Sequence, residues 1–270
     1  MPEQSKTLVI DHPELLFKVS TRRSFLKLLG VGGTIVLMPS VFAACSDNPS
    51  TIAPFTPAPD PVTLNLSNDF GILNYAYALE QLEAAFYTAV VASSPFGSMN
   101  AEQQEVMVDL RNHEVIHREF LKAALGSNAI ATLSLNSTSV AATLTDVPTI
   151  LKSAEMFEDL GVSAYNGAGK YLASPDYLTI AGKIVSVEAR HAAAIRDIRD
   201  ALGITGGDAP NTRFAGDTVV SSDKGLDVKL EPGAVLNKVV AAMLITNSVT
   251  PTGLPAKTGT PDQAPPSPTP

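Results

Sequence analysis

The sequence predicts an all-α protein: a four-helix bundle of two antiparallel helical hairpins joined by one long crossover, with a short C-terminal extension. Three observations predict it. Apolar residues recur at three-and-four spacing through four long segments, each closed by helix-capping or helix-breaking residues. The first two segments are separated by a few residues, as are the last two, whereas about twenty small or polar residues separate the second from the third. Composition agrees: 45% of the 270 residues are hydrophobic, but only 6% are aromatic and none is Trp. Helices packed through Ala and Leu fit that balance better than an aromatic-rich β-sandwich.

The first helix is expected from about Asn68 to Ser94, with Ile72, Tyr75, Leu79, Leu82, Phe86 and Val90 on one face and Pro95 ending it. Asn100 with Gln103 is a capping-box pattern opening the second, which stops at Gly126. Asp146 with Pro148 opens the third, running to about Ala173. Ser174 caps the fourth, Pro175 takes its first turn, and Gly203 lies past its end. The stretch Ser127 to Thr145 is long for a compact domain, and a crossover along the bundle gives it a reason. Bundle residues are thus 67–205. Residues 206–250 form the extension, with a small hairpin expected around Lys224-Gly225 and a short helix from Pro232 to Leu244.

Residues 1–45 read as an export signal. Thr21-Arg22-Arg23-Ser24-Phe25-Leu26-Lys27 precedes an apolar run to Ala44 that glycines and Pro39 interrupt, too short and broken for a good membrane span. The arrangement resembles the twin-arginine signal. Cys45 after Ala43-Ala44 resembles a bacterial lipoprotein site, which implies lipidation and membrane attachment through Cys45. Phe42 departs from the aliphatic residue that pattern prefers, so cleavage without lipid stays open. The expected location is the bacterial periplasm or the outer-membrane side of the envelope. Residues 46–66, with prolines at 49, 54, 57, 59 and 61, read as an extended linker, and 251–270 as a disordered tail. Positions 1–44 hold five basic and three acidic residues, so removing them takes the formal charge from -8 to -10. No basic cluster then remains to track phosphates, which argues against nucleic acid as a partner.

The chemistry-bearing residues repeat. Glu114 precedes His117 by three on the second helix, and Glu188 precedes His191 by three on the fourth, so each pair shares a face. On the first helix Glu80 is followed seven residues later by Tyr87, and on the third Glu158 by Tyr165. Two turns put each Tyr on the face of its Glu, about 10 Å along the axis. Glu80 and Tyr87 each lie 78 positions before their counterparts, and Glu114 and His117 each lie 74 before theirs. The chain therefore contains a duplicated helical hairpin. Four carboxylates inside a bundle cannot all stay ionised without cations, and two divalent ions remove that penalty. Carboxylates with one imidazole per ion suit Fe or Mn, with positions left open for oxygen or peroxide.

Other residues compete for these roles. Glu83 is an alternative ligand to Glu80, although only Glu80 keeps the halves in register; Glu155 yields to Glu158 on the same argument. His113 lies one turn before His117, but its counterpart is Val187, so it is expected as a surface or supporting histidine. On the residues alone, Tyr87 and Tyr165 read as core aromatics with a satisfied hydroxyl. A vestigial site, with its carboxylates paired to Arg118 or Arg190, is the bland reading of the whole set.

At Leu79-Glu80-Gln81-Leu82-Glu83-Ala84-Ala85-Phe86-Tyr87, Phe157 to Tyr165 and Val187 to Ile195 the chain resembles the ferritin-like superfamily, and within it the exported bacterial branch grouped with desiccation-related proteins. The resemblance covers about residues 68–203. It implies that Glu114 and Glu188 bridge two metal ions, that Glu80, Glu158, His117 and His191 are terminal ligands, and that Tyr87 and Tyr165 support the carboxylates. The expected function is redox chemistry linked to oxidants at a di-iron or di-manganese centre, as Fe(II) oxidation or peroxide removal. The competing expectation is a non-enzymatic envelope stress or structural protein.

Overall fold

The computed structural model describes residues 60–204, 219–220 and 224–253. The export signal, Cys45, linker residues 46–59 and tail residues 254–270 lie outside the described residues. The element order is β1 (Val62–Asn65), α1 (Asp69–Ala92), α2 (Ala101–Leu125), α3 (Ser137–Ala142), α4 (Val147–Ala168), α5 (Pro175–Ala201), α6 (Pro232–Ala241) and β2 (Val249–Thr252). The four long helices α1, α2, α4 and α5 form the bundle, so the fold class is the all-α bundle that the sequence predicts.

The caps act as their residue types require. Asn68 accepts from the Gly71 amide, Asn100 and Gln103 form a reciprocal capping box, Asp146 accepts from Thr149, and Ser174 accepts from Tyr177. Gly126 closes α2 at φ 54°, a backbone conformation that suits glycine. One boundary differs: α4 stops at Ala168, and Gly169–Tyr171 continues as a 3-10 turn instead of α-helix. A glycine pair at 167 and 169 weakens the last turn.

Helix directions follow from contacts between named residues. Asn74, near the start of α1, bonds residues just beyond the end of α2, so this hairpin is antiparallel. Arg199, near the end of α5, pairs with Glu155 in the first half of α4, so the second hairpin is antiparallel too. Between hairpins, Tyr87 meets Glu158 and Tyr165 meets Glu80, which makes α1 antiparallel to α4. The duplicated halves therefore meet about a two-fold axis through the bundle.

The crossover lies along α1. Asn74 bonds the backbone at Asn128 and Ile130, and Gln81, two turns on, accepts from Leu133. These two polar side chains sit in an otherwise apolar stretch and are buried. Asn74 is satisfied on both sides by crossover backbone, and Gln81 through its Oε1, which ties the long connection down. As a result α1 is the central helix, buried at every position from Gly71 to Ala84.

The linker expectation needs correcting at its end. Val62 to Asn65 is a strand that pairs in parallel with Val249–Thr252, taking in the first two residues of the expected tail. Alternation of Val62 and Leu64, buried, with exposed Thr63 and Asn65 is a half-buried strand pattern that the prolines upstream obscure. Gly71 permits this strand to join α1 closely, since a Cβ there would stand 1.6 Å from the Asn65 carbonyl oxygen. Of the expected hairpin, an antiparallel bridge joins Val220 to Asp227 and the Val228 amide donates to the Val219 carbonyl; Thr218 and residues 221–223 lie outside the described set. The Leu230 amide donates to the Ser163 carbonyl, and α6 follows. The extension thus docks on α4. No described helix is long and apolar enough to cross a membrane.

Candidate metal centre

Each of the four bundle helices turns one or two acidic residues inward at the same level. Glu80, Glu114, Glu158 and Glu188 are fully buried, and Glu83 and His191 are nearly so. They form two overlapping groups, Glu80–Glu114–His117–Glu188 and Glu114–Glu158–Glu188–His191, whose ligand atoms lie within 4.8 Å of one another. The three-residue spacing on α2 and α5 brings Glu and His together on one face, as helix geometry requires.

The two groups are nearly superposable by the internal two-fold. His117 Nδ1 lies 2.9 Å from Glu188 Oε1, and His191 Nδ1 lies 2.9 Å from Glu114 Oε1. His117 Nδ1 stands 3.4 Å from Glu80 Oε2, and His191 Nδ1 stands 3.3 Å from Glu158 Oε2. Glu114 and Glu188 each present oxygens to both imidazoles, whereas Glu80 faces only His117 and Glu158 only His191. This division into two shared and two unshared carboxylates is what a dinuclear centre needs.

Tyr87 and Tyr165 are buried donors, and their partners are crossed. The Tyr87 hydroxyl donates to Glu158 Oε1 at 2.5 Å, and the Tyr165 hydroxyl to Glu80 Oε1 at 2.5 Å. Each tyrosine shares a helix face with one glutamate but supports the other half's glutamate, because α1 and α4 run antiparallel. Using Oε1 for the phenol leaves Oε2 of each carboxylate free to face inward.

Residues 68–201 match the family described as the ferritin-like domain. The bundle has the ferritin-like fold, and the duplicated Glu and His sets fall inside the matched span. No curated protein matches the chain.

The residues suit metal ions. Glu80 Oε2, Glu114 Oε1, Glu158 Oε2, both Glu188 oxygens and His191 Nδ1 are buried without a hydrogen-bond partner. Some of these atoms approach an imidazole nitrogen yet lack hydrogen-bond geometry. Unpaired buried carboxylate oxygens are costly, and a shared cation is the ordinary remedy. No described lysine or arginine supplies the charge: Arg118 pairs with Glu119, and Arg196 and Arg199 pair with Asp159 and Glu155. Arg190 is exposed. The vestigial reading loses its proposed counter-ions.

Electrostatics of the metal-free cluster point the same way. Burial, with Glu188 nearby, pushes Glu80 up to about 8 against the pull of His117. Burial and the other carboxylates hold Glu83 and Glu158 well above the ordinary range. Burial also opposes ionisation of Glu114, but the adjacent His117 and His191 imidazoles outweigh it and bring this carboxyl down to about 2. Burial disfavours charge on His191, yet the close carboxylates of Glu114, Glu158 and Glu188 push it up to about 12; His117 rises among its own carboxylates in the same way. Protons thus stand in for cations among these groups.

Two further residues stand beside the expected ligands. Glu83 does not replace Glu80; both are buried, and Glu83 adds a fifth carboxylate. His113 is a supporting residue, with its Nδ1 2.9 Å from the outward Nε2 of His191 and the rings nearly parallel at 8°. Burial and the neighbouring His191 hold His113 below its ordinary value, so it stays neutral near pH 7. Its signal was the i,i+4 spacing to His117, which puts it on the same stripe of α2 one turn earlier, where it is exposed.

Proposed function

We propose that this ferritin-like protein is exported and holds two Fe or Mn ions for redox chemistry with oxygen or peroxide. The reading rests on one observation above others: two symmetry-related sets of buried carboxylate and imidazole atoms, turned toward each other with no described lysine or arginine among them. Glu114 and Glu188 would bridge, Glu80 with His117 would serve one position, and Glu158 with His191 the other. Ions bound there would supply the electron transfer. The chain's own residues fix the donors: Tyr87 and Tyr165 orient Glu158 and Glu80, and His113 orients His191. Phe86, Phe157 and Ile195, all buried, keep the surrounding core apolar and raise the cost of unpaired charge.

Residues 1–45 carry the export proposal, with Cys45 as the lipid attachment point. Assays of Fe(II) oxidation and peroxide consumption test the redox reading. Metal-loaded protein should turn over at least one of them, and Glu188→Ala should abolish that activity. Activity that persists without metal would overturn the reading; a fully loaded protein inert in both assays would favour a non-enzymatic envelope role.

A further inference from the structure

The two halves of the centre match in ligands but not in surroundings, and both differences fall on the same side. Glu83, 78 positions before Gly161, takes the place in α1 that the glycine takes in α4. A glycine inside a helix is unfavourable relative to alanine, so its presence calls for a local reason. Its neighbours supply one. A Cβ on Gly161 would stand 3.1 Å from Glu83 Oε1 and 3.8 Å from Glu188 Oε2. The missing side chain therefore makes the space that the Glu83 carboxylate enters. Glu188 Oε2 is the oxygen on the His191 side, since Oε1 is the one 2.9 Å from His117. Glu83 is 3% exposed.

The second difference is His113, whose counterpart is Val187. His113 contacts the outer nitrogen of His191 at 2.9 Å, fixing which nitrogen faces inward. Valine in the equivalent place can give His117 no such bond.

We propose that the two metal positions are chemically inequivalent, and that the position between Glu158 and His191 is the tighter because Glu83 serves it as an additional carboxylate ligand. This rests on the dinuclear reading above. An added carboxylate contributes both a hard oxygen donor and negative charge, and an imidazole with its outer nitrogen bonded is a better-oriented donor.

Calorimetric titration of the metal-free full-length protein with Mn(II), under anaerobic conditions at fixed pH, tests it. The wild type should bind two ions with constants at least tenfold apart. Glu83→Gln should weaken the tighter step about tenfold, and Gly161→Ala, which crowds Glu83 from the opposite helix, should do the same. His191→Ala should remove the tighter step, and His117→Ala the weaker one. Two bound ions with both constants unchanged in Glu83→Gln and Gly161→Ala would overturn this inference while leaving the dinuclear centre intact. Loss of the tighter step in His117→Ala would also overturn it. A wild type that binds no Mn(II) would overturn the dinuclear reading and this inference together.

Discussion

Metal-free protein should lose stability as pH rises from 5 to 7, opposite to the effect of metal over the same range. Glu80 ionises near 4.5 when unfolded but near 8 in the folded protein, so the folded form holds its proton more tightly. A raised folded value stabilises fully below the unfolded one, and that contribution disappears as pH climbs through the folded value. Between pH 5 and 7 the cost is roughly 1.4 kcal/mol per pH unit, or roughly 3 kcal/mol from Glu80 alone. Glu83 and Glu158 are raised too and act in the same direction. His191, raised to about 12, adds to the loss above its ordinary 6.5. Glu114, lowered to about 2, gives stability that is fully present above pH 4.5 and lost only as pH falls toward 2, so it contributes no slope in this window. Divalent ions replace these protons, and their binding strengthens as the carboxylates ionise. Urea unfolding in chelator and in excess Mn(II), at pH 5, 6 and 7, measures both curves. Stability in chelator should fall by several kcal/mol while the gain from Mn(II) widens, and Glu80→Gln should flatten part of the fall. A chelated protein equally stable at pH 5 and 7 would refute this account of the carboxylates.

Two further perturbations follow from the packing. Tyr87→Phe and Tyr165→Phe each remove a 2.5 Å bond to a buried carboxylate, so each should cost about 2 kcal/mol of metal-loaded stability, with similar values because the bonds are related by the two-fold. Gly167→Ala would put a Cβ 1.7 Å from the Leu230 carbonyl oxygen, so it should displace the extension from α4 and cost about 3 kcal/mol in thermal unfolding, with metal stoichiometry unchanged.

Much of this architecture was legible because helix periodicity, capping residues and a duplicated motif are local signals. Asn100 with Gln103, Ser174 with Pro175, and Gly126 mark helix ends that the structure realises. What the sequence left open depends on relations between distant segments. That Tyr87 would reach Glu158 follows from α1 and α4 being antiparallel, which no spacing within one helix encodes. The role of Gly161 could be seen only as a space that Glu83 fills from another helix. Asn74 and Gln81 are polar residues in an apolar stretch of helix, and only the crossover's path explains them. β1 was missed because its partner lies nearly two hundred residues away and four residues flanked by prolines carry a weak pattern.

Metal content per chain, measured by elemental analysis of protein purified from its native compartment, tests the central claim most directly. The account predicts about two Fe or Mn ions per chain, lost in the Glu114→Ala/Glu188→Ala double variant. No metal in either protein, even after anaerobic reconstitution with Fe(II) or Mn(II), would contradict it.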